Sequence, residues 1–270
     1  MRLKAAVWAR YAAPIAVAIA AIVGGCTEIG TSPTIVTALE FDSLPYPAVV
    51  TGDTLRDSLG HAGHLHAIAF NAAGSVVANP ALSFFALDSG VTIDPATGVV
   101  TAQLRSGQVR LIASVGGLQT SPETLFVSRR PDSIFATSPL SDTINYTLVD
   151  GPGNVSPGLS LQIATRDTVN GIQGTQGWLV SYQILYHGRV LALTDTTIAS
   201  VWTTTNQATL LDTTGVGGLA SRVLRVRSTL LPPTPDSITV VASARYHGLP
   251  VPGSPVTYVV QLRPQVPTVR

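Results

Sequence analysis

Residues 93–102 read Ile-Asp-Pro-Ala-Thr-Gly-Val-Val-Thr-Ala. Asp94 and Pro95 can nucleate a tight turn in which proline presets φ, and Gly98 is free to take φ > 0. The β-branched run Val99-Val100-Thr101 leaves that turn as a strand. Toward the N-terminus, Leu65, Ala67 and Ala69 alternate with His66, Ile68 and Phe70, a half-buried strand closed by Asn71-Ala72-Ala73-Gly74. Residues 81–87 read as a further strand. Toward the C-terminus, residues 108–114, the Gly116-Gly117 turn and residues 123–128 read as a hairpin. Short apolar runs broken by Gly, Pro, Asn and Asp every ten residues or so predict an all-β sandwich.

Composition agrees. Charged residues are 11% of the chain, too few for solvent-exposed amphipathic helices. Of 16 basic and 15 acidic residues, three cations (Arg2, Lys4, Arg10) and no anion precede Cys26, which leaves the rest at a formal charge of −2. A basic nucleic-acid surface is therefore not expected. Cys26 is the only cysteine, so beyond it there is no disulfide and no cysteine metal site, and stability must come from core packing. The length beyond residue 25 suits one large or two ordinary domains.

The first 25 residues read as an export signal. A basic segment is followed by an apolar run from Tyr11 to Val23 and then by the small residues Gly24 and Gly25. As a helix that run would rise about 20 Å, short of a hydrocarbon core of about 30 Å. Val23-Gly24-Gly25-Cys26 resembles the lipobox of bacterial lipoproteins. The resemblance implies cleavage between Gly25 and Cys26 and a diacylglycerol on the Cys26 sulfur, each buried CH₂ contributing about 0.8 kcal/mol to anchoring. Thr27 stands where inner-membrane retention typically uses Asp, which points to the outer membrane. Residues 26–36 would form a flexible tether.

Gly52-Asp53-Thr54, residues 65–74, residues 93–102 and residues 109–117 resemble successive landmarks of the bacterial immunoglobulin-like domain, group 2, over about residues 37–129. The chain departs from that pattern at residues 56–63, an insertion that marks an unusual loop, and at Ser83-Phe84-Phe85-Ala86, where a Trp-Ser-Ser segment is usual. After the linker Arg129-Arg130-Pro131, residues 212–227 are similar to the Asp-x-x-Gly turn and following strand of the group 1 domains. An internal repeat supports two modules on its own: Ala113-Ser114, Gly117-Leu118, Ser121-Pro122, Thr124 and Val127 recur in order as Ala242-Ser243, Gly248-Leu249, Ser254-Pro255, Thr257 and Val260. Each module would close with the same hairpin. The expected organisation is a signal peptide (1–25), a tether (26–36), two tandem immunoglobulin-like β-sandwiches (37–130 and 131–264) and a tail (265–270).

Catalytic constellations are absent from this reading. There is no Gly-x-Ser-x-Gly, and His187 and His247 each precede a glycine in turns. Glutamates are too few to nominate a glycosidase pair. His61, His64 and His66 have metal-like spacing: extended, His64 and His66 share a face, and His61 could fold over to complete three imidazole ligands for zinc or copper. The competing reading is a solvated loop. Asp53, Asp57, Asp88 and Asp94 could surround calcium or simply cap turns. Arg225 and Arg227 share a strand face open to a phosphate or to solvent, and Trp178 and Trp202 read as core. The expected function is a lipid-anchored cell-envelope protein, not an enzyme and without a cofactor, acting in binding, adhesion or spacing. Its partners would be the membrane and an envelope polymer or protein met through loops 56–64 or 171–177. The alternatives are a metal-binding periplasmic protein built on the histidine cluster and an accessory subunit of an envelope assembly.

Overall fold

The computed structural model describes residues 35–103, 106–147, 149, 154–192 and 198–265. The expected leader, Gly25 and Cys26, the tether up to residue 34 and residues 266–270 of the tail lie outside the described residues.

Nine strands come first: β1 (Ala38–Phe41), β2 (Ala48–Val50), β3 (Ala67–Phe70), β4 (Ser83–Ala86), β5 (Val91–Ile93), β6 (Val100–Ala102), β7 (Gly107–Val115), β8 (Leu118–Gln119) and β9 (Glu123–Ser128). One layer runs β2-β9-β7-β4, with the short β8 folded back on β7. The other layer is assembled from the pairs β1-β3 and β5-β6, joined where His64 bridges Val99 and the Leu65 N–H donates to the Gly98 carbonyl at 3.0 Å. Pro45 and Pro47 sit where the chain crosses from one layer to the other, and proline's missing donor costs nothing at such an edge. Leu55, Leu65, Ala67 and Val100 meet Val109, Leu111, Leu125 and Val127 in the core. Each leucine or valine among them contributes about 1.5–3 kcal/mol on burial.

The second set repeats the plan in β10 (Ser133–Ala136), β11 (Ser141–Tyr146), β12 (Leu159–Asp167), β13 (Gly171–Gly174), β14 (Leu179–Tyr186), β15 (Arg189–Leu191), β16 (Ala199–Trp202), β17 (Leu211–Thr213), β18 (Leu219–Val226), β19 (Asp236–Ser243), β20 (Arg245–Tyr246), β21 (Leu249–Pro250) and β22 (Val256–Pro264). One layer is β10-β12-β18-β16 and the other β11-β22-β19-β14-β15. In both sets the first long segment is divided between the layers, and its second half lies parallel to the last strand, β2 on β9 and β11 on β22. All the other pairs are antiparallel. This is the strand order of an immunoglobulin-like sandwich. Among the described residues no strand before Ser128 pairs with one after Ser133.

The repeat seen in the sequence falls on the closing hairpins, with Ala113 in β7 and Val127 in β9, and Ala242 in β19 and Val260 in β22. The glycine-spaced segment 171–177, expected as a loop, is a strand over Gly171–Gly174, paired with β12. It carries no apolar alternation because it is a solvent-facing flap. It must be glycine-rich because a Cβ on Gly174 would stand 1.9 Å from the Gly217 carbonyl oxygen.

Candidate functional site

The most densely built polar and aromatic assembly lies where the two sandwiches meet. Tyr46, held between Pro45 and Pro47, turns its ring edge-on to Trp178, with centroids 5.3 Å apart and planes at 62°. Trp178 stands just before β14, is 3% exposed, and meets Tyr246 of β20 on its other side at 6.0 Å. Its indole N–H donates to the Arg245 carbonyl at 3.1 Å, and the Leu179 N–H donates to the Tyr46 hydroxyl at 3.0 Å. Burial pushes the Tyr46 phenol far above its ordinary value, so it stays neutral. Aromatic pairs in this geometry add about 0.5–1.5 kcal/mol beyond the area they bury.

Around this apolar centre runs a polar rim. Asp53 of the first sandwich accepts from the Tyr246 hydroxyl at 3.1 Å and from His247 Nε2, while Tyr246 and His247 stack at 3.9 Å. The Arg130 guanidinium lies 5.1 Å from the Tyr246 ring centroid. Ser128 donates to the Gln176 carbonyl at 3.1 Å, Arg129 pairs with Asp167, and the Thr165 hydroxyl donates to the Arg130 carbonyl. The inserted loop 56–63 belongs to the same contact. Asp57 closes it by accepting from the Leu59 and His61 N–H groups, both at 2.9 Å. Its tip then reaches the turn between β20 and β21. A Cβ on Gly60 would lie 2.6 Å from the His247 carbonyl carbon, and one on Gly248 would lie 2.4 Å from the Leu59 carbonyl oxygen. Only paired glycines allow backbones so close.

The Tyr-His-Gly turn occurs twice. Tyr186 and His187 stack at 4.1 Å and hold Asp236 within the second sandwich, the Tyr186 hydroxyl at 2.7 Å and His187 Nε2 at 3.0 Å. Both histidines take positive φ, 49° and 51°. The copy at the junction differs in gripping a carboxylate from the other sandwich.

The junction carboxylates set a pH dependence. Burial pushes Asp53 up, but the Thr54 N–H, His247 and Tyr246 together outweigh it and leave the carboxyl below its usual value. Asp167 is held well below the carboxylate range by the Asn170 side chain, the Val169 N–H and Arg129. A carboxyl depressed on folding contributes stability above its unfolded pKa, about 4, and loses it as pH falls through the folded value. The junction is therefore expected to loosen in acid below about pH 4, read as a change in tryptophan emission. Replacing Asp53→Asn together with Asp167→Asn should abolish that step; an unaltered acid transition in the double variant would place the titrating groups elsewhere.

The histidines of the sequence motif go to three separate partners. His61 Nδ1 faces Asp57 at 3.2 Å, His64 Nδ1 faces the Thr97 carbonyl at 2.9 Å, and His66 Nδ1 faces Asp42 at 3.3 Å. Among the described residues no group of three or more His, Cys, Asp or Glu side chains is placed to hold a metal ion. The four aspartates also stay apart: Asp94 caps the Ala96 and Thr97 N–H groups, and Asp88 holds Arg110. Trp178 is core at the junction, whereas Trp202 is half-buried beneath the Arg225 guanidinium, 4.4 Å from its ring centroid. Sequence reasoning missed the buried pair Arg222–Asp212, at 2.8 Å, which crosses the second sandwich. It also missed the Asp53 clamp, whose partners lie 193 and 194 residues away.

No protein-family model and no curated protein sequence matches the chain. Solved structures do. The Yersinia pseudotuberculosis adhesin InvE matches 86% of this chain at 13% identity and a TM-score of 0.33. The D0-D1 domain of intimin matches 84% at 14% identity and a TM-score of 0.26, with 98% of its own length covered. The Escherichia coli adhesin FdeC matches 83% at 14% identity and a TM-score of 0.27. The chain spans 61% of the InvE chain and 63% of the FdeC chain. At these identities the likeness concerns the fold alone, and the strand order described above is what identifies two immunoglobulin-like sandwiches in tandem.

Proposed function

We propose that this chain is a lipid-anchored, non-catalytic spacer of the bacterial cell envelope. In this reading Cys26 carries the lipid in the outer membrane, and the two sandwiches stand off from it as a stiff pair whose far end meets other envelope or surface components. The observation that supports it is the junction. Tandem sandwiches joined only by a linker would swing freely, since domains of one chain move relative to each other unless their interface is well packed. Here a buried tryptophan between two tyrosines, a carboxylate clamp and an inserted loop all serve to hold one orientation. The loops nominated from the sequence as ligand contacts, 56–64 and 171–177, are largely engaged in that task or packed on their own sandwich.

Two measurements test the reading. Cells fed labelled fatty acid should incorporate it into the wild-type protein and not into Cys26→Ser, which should leave the membrane fraction. Retention of Cys26→Ser in the membrane would refute the anchor. Spin labels at exposed Ser121 and Thr257 should give one narrow distance distribution, and a broad one would refute the stiff pair.

A further inference from the structure

We propose that the groove along the outer face of the β7–β9 hairpin, roofed at one end by β13, is a binding site for a neutral oligosaccharide chain. This goes beyond the spacer reading and does not depend on the anchor.

The groove consists of two cavities of about 370 Å³ and about 440 Å³ that share Ser106, Gly107 and Gln108 in their walls. Both lie within the size range of small-molecule sites. Strand periodicity makes the floor. Val109, Leu111, Leu125 and Val127 point into the core, so Gln108 and Arg110 of β7 and Thr124 and Phe126 of β9 point outward. The register sets Gln108 directly opposite Phe126 and Arg110 opposite Thr124. Gln173, Gly174 and Gln176 of the second sandwich close the far end. The smaller cavity therefore depends on the junction that fixes one sandwich against the other, whereas the larger is walled by the first sandwich alone.

Its chemistry selects the ligand. The Gln108 and Gln176 side-chain amides hold no protein hydrogen bond among the described residues, which leaves planar donor and acceptor pairs open to a ligand. The half-buried Phe126, which packs against Gly177, adds apolar surface to the wall beside them. The charged groups at either end are already neutralised. Asp88 accepts from the Arg110 N–H, Nε and Nη2 at 2.9, 2.9 and 2.8 Å, and Arg129 pairs with Asp167. Among the described residues that line the groove no unpaired cation is left for phosphate, and a single ring is too little apolar surface to seat a hydrophobic peptide. A polymer of hydroxyl groups with alternating apolar faces fits what remains. Because the walls are preformed, little ordering cost is expected on binding.

The test uses the full chain, titrated calorimetrically with maltohexaose, cellohexaose and chitohexaose, and with polygalacturonate as a charged control. At least one neutral hexasaccharide is expected to bind with a Kd between about 10 μM and 1 mM. Gln108→Ala, at an exposed position, and Gln176→Ala, at a half-buried one, are each expected to weaken it about tenfold, the loss of one ligand hydrogen bond, while the strand signal in circular dichroism stays as in the wild type. The proposal is overturned if no neutral hexasaccharide binds, if neither variant weakens binding, or if only polygalacturonate binds. A spacer with a stiff junction would survive any of these failures, because the spin-label distances report it separately.

Discussion

Asp212→Ala is expected to destabilise the second sandwich by about 3–5 kcal/mol, because it leaves a buried guanidinium without its counter-charge. Arg222 projects inward from β18 between Ala220 and Leu224, and its side chain is 9% exposed. Its Nη1 lies 2.8 Å from Asp212, Nη2 donates to the Leu211 carbonyl at 2.7 Å, and Nε has no protein acceptor. Burial pushes the Asp212 carboxyl up, and the Arg222 charge pulls it back only in part. A carboxyl raised on folding contributes stability below its unfolded pKa and loses it as pH rises through the folded value, so the pair is under tension at neutral pH. Removing both partners should therefore be far milder than removing one: Asp212→Leu with Arg222→Met is expected to be neutral or stabilising by about 1–4 kcal/mol. Urea unfolding of the three proteins decides it. A cost of about 1 kcal/mol or less for Asp212→Ala would mean the pair behaves as an exposed one, contrary to its burial.

Trp178→Ala is expected to cost about 3–5 kcal/mol and, beyond that, to uncouple the two sandwiches. The indole lies between Tyr46 and Tyr246, and its N–H satisfies the Arg245 carbonyl. With it gone, the rim contacts remain, but they are ion pairs and hydrogen bonds near solvent, worth little individually. The distance distribution between labels at Ser121 and Thr257 should broaden, and unfolding in urea should split into two transitions. If stability fell while the distances stayed narrow, Trp178 would be a core residue of the second sandwich only, and the inserted loop would have to carry the joint.

Much of the fold was open to reading because strands announce themselves locally. The hairpin at residues 108–128 is two apolar-rich runs around a Gly-Gly turn, and β7 and β9 form there within a residue or two. The alternation of buried Val180, Tyr182 and Ile184 in β14 is of the same local kind. β13 was not legible, since Gly171-Ile-Gln-Gly174 has neither alternation nor β-branched density and is held by backbone pairing to β12. The Arg222 site shows a different limit. In Leu219–Val226 one face carries Ala220, Arg222, Leu224 and Val226 and the other Leu219, Ser221, Val223 and Arg225, so each face holds one arginine. Composition cannot choose which arginine turns inward, because a one-residue shift of register exchanges the faces. The histidine spacing misled in the same way: His64 and His66 share a strand parity, but the loop before them closes on Asp57 and carries His61 to a partner of its own.

By itself the sequence determined the all-β class and the repeated closing hairpin, because periodicity and turn residues are local properties of the chain. Only the tertiary structure decided how the two sandwiches are joined and what lies at the joint. Tyr46 with Trp178, and Asp53 with Tyr246 and His247, are contacts between residues far apart in sequence. Loop closure over such separations leaves no local pattern, and the inserted loop 56–63, conspicuous in the sequence as an oddity, found its role only when packing brought Gly60 against His247.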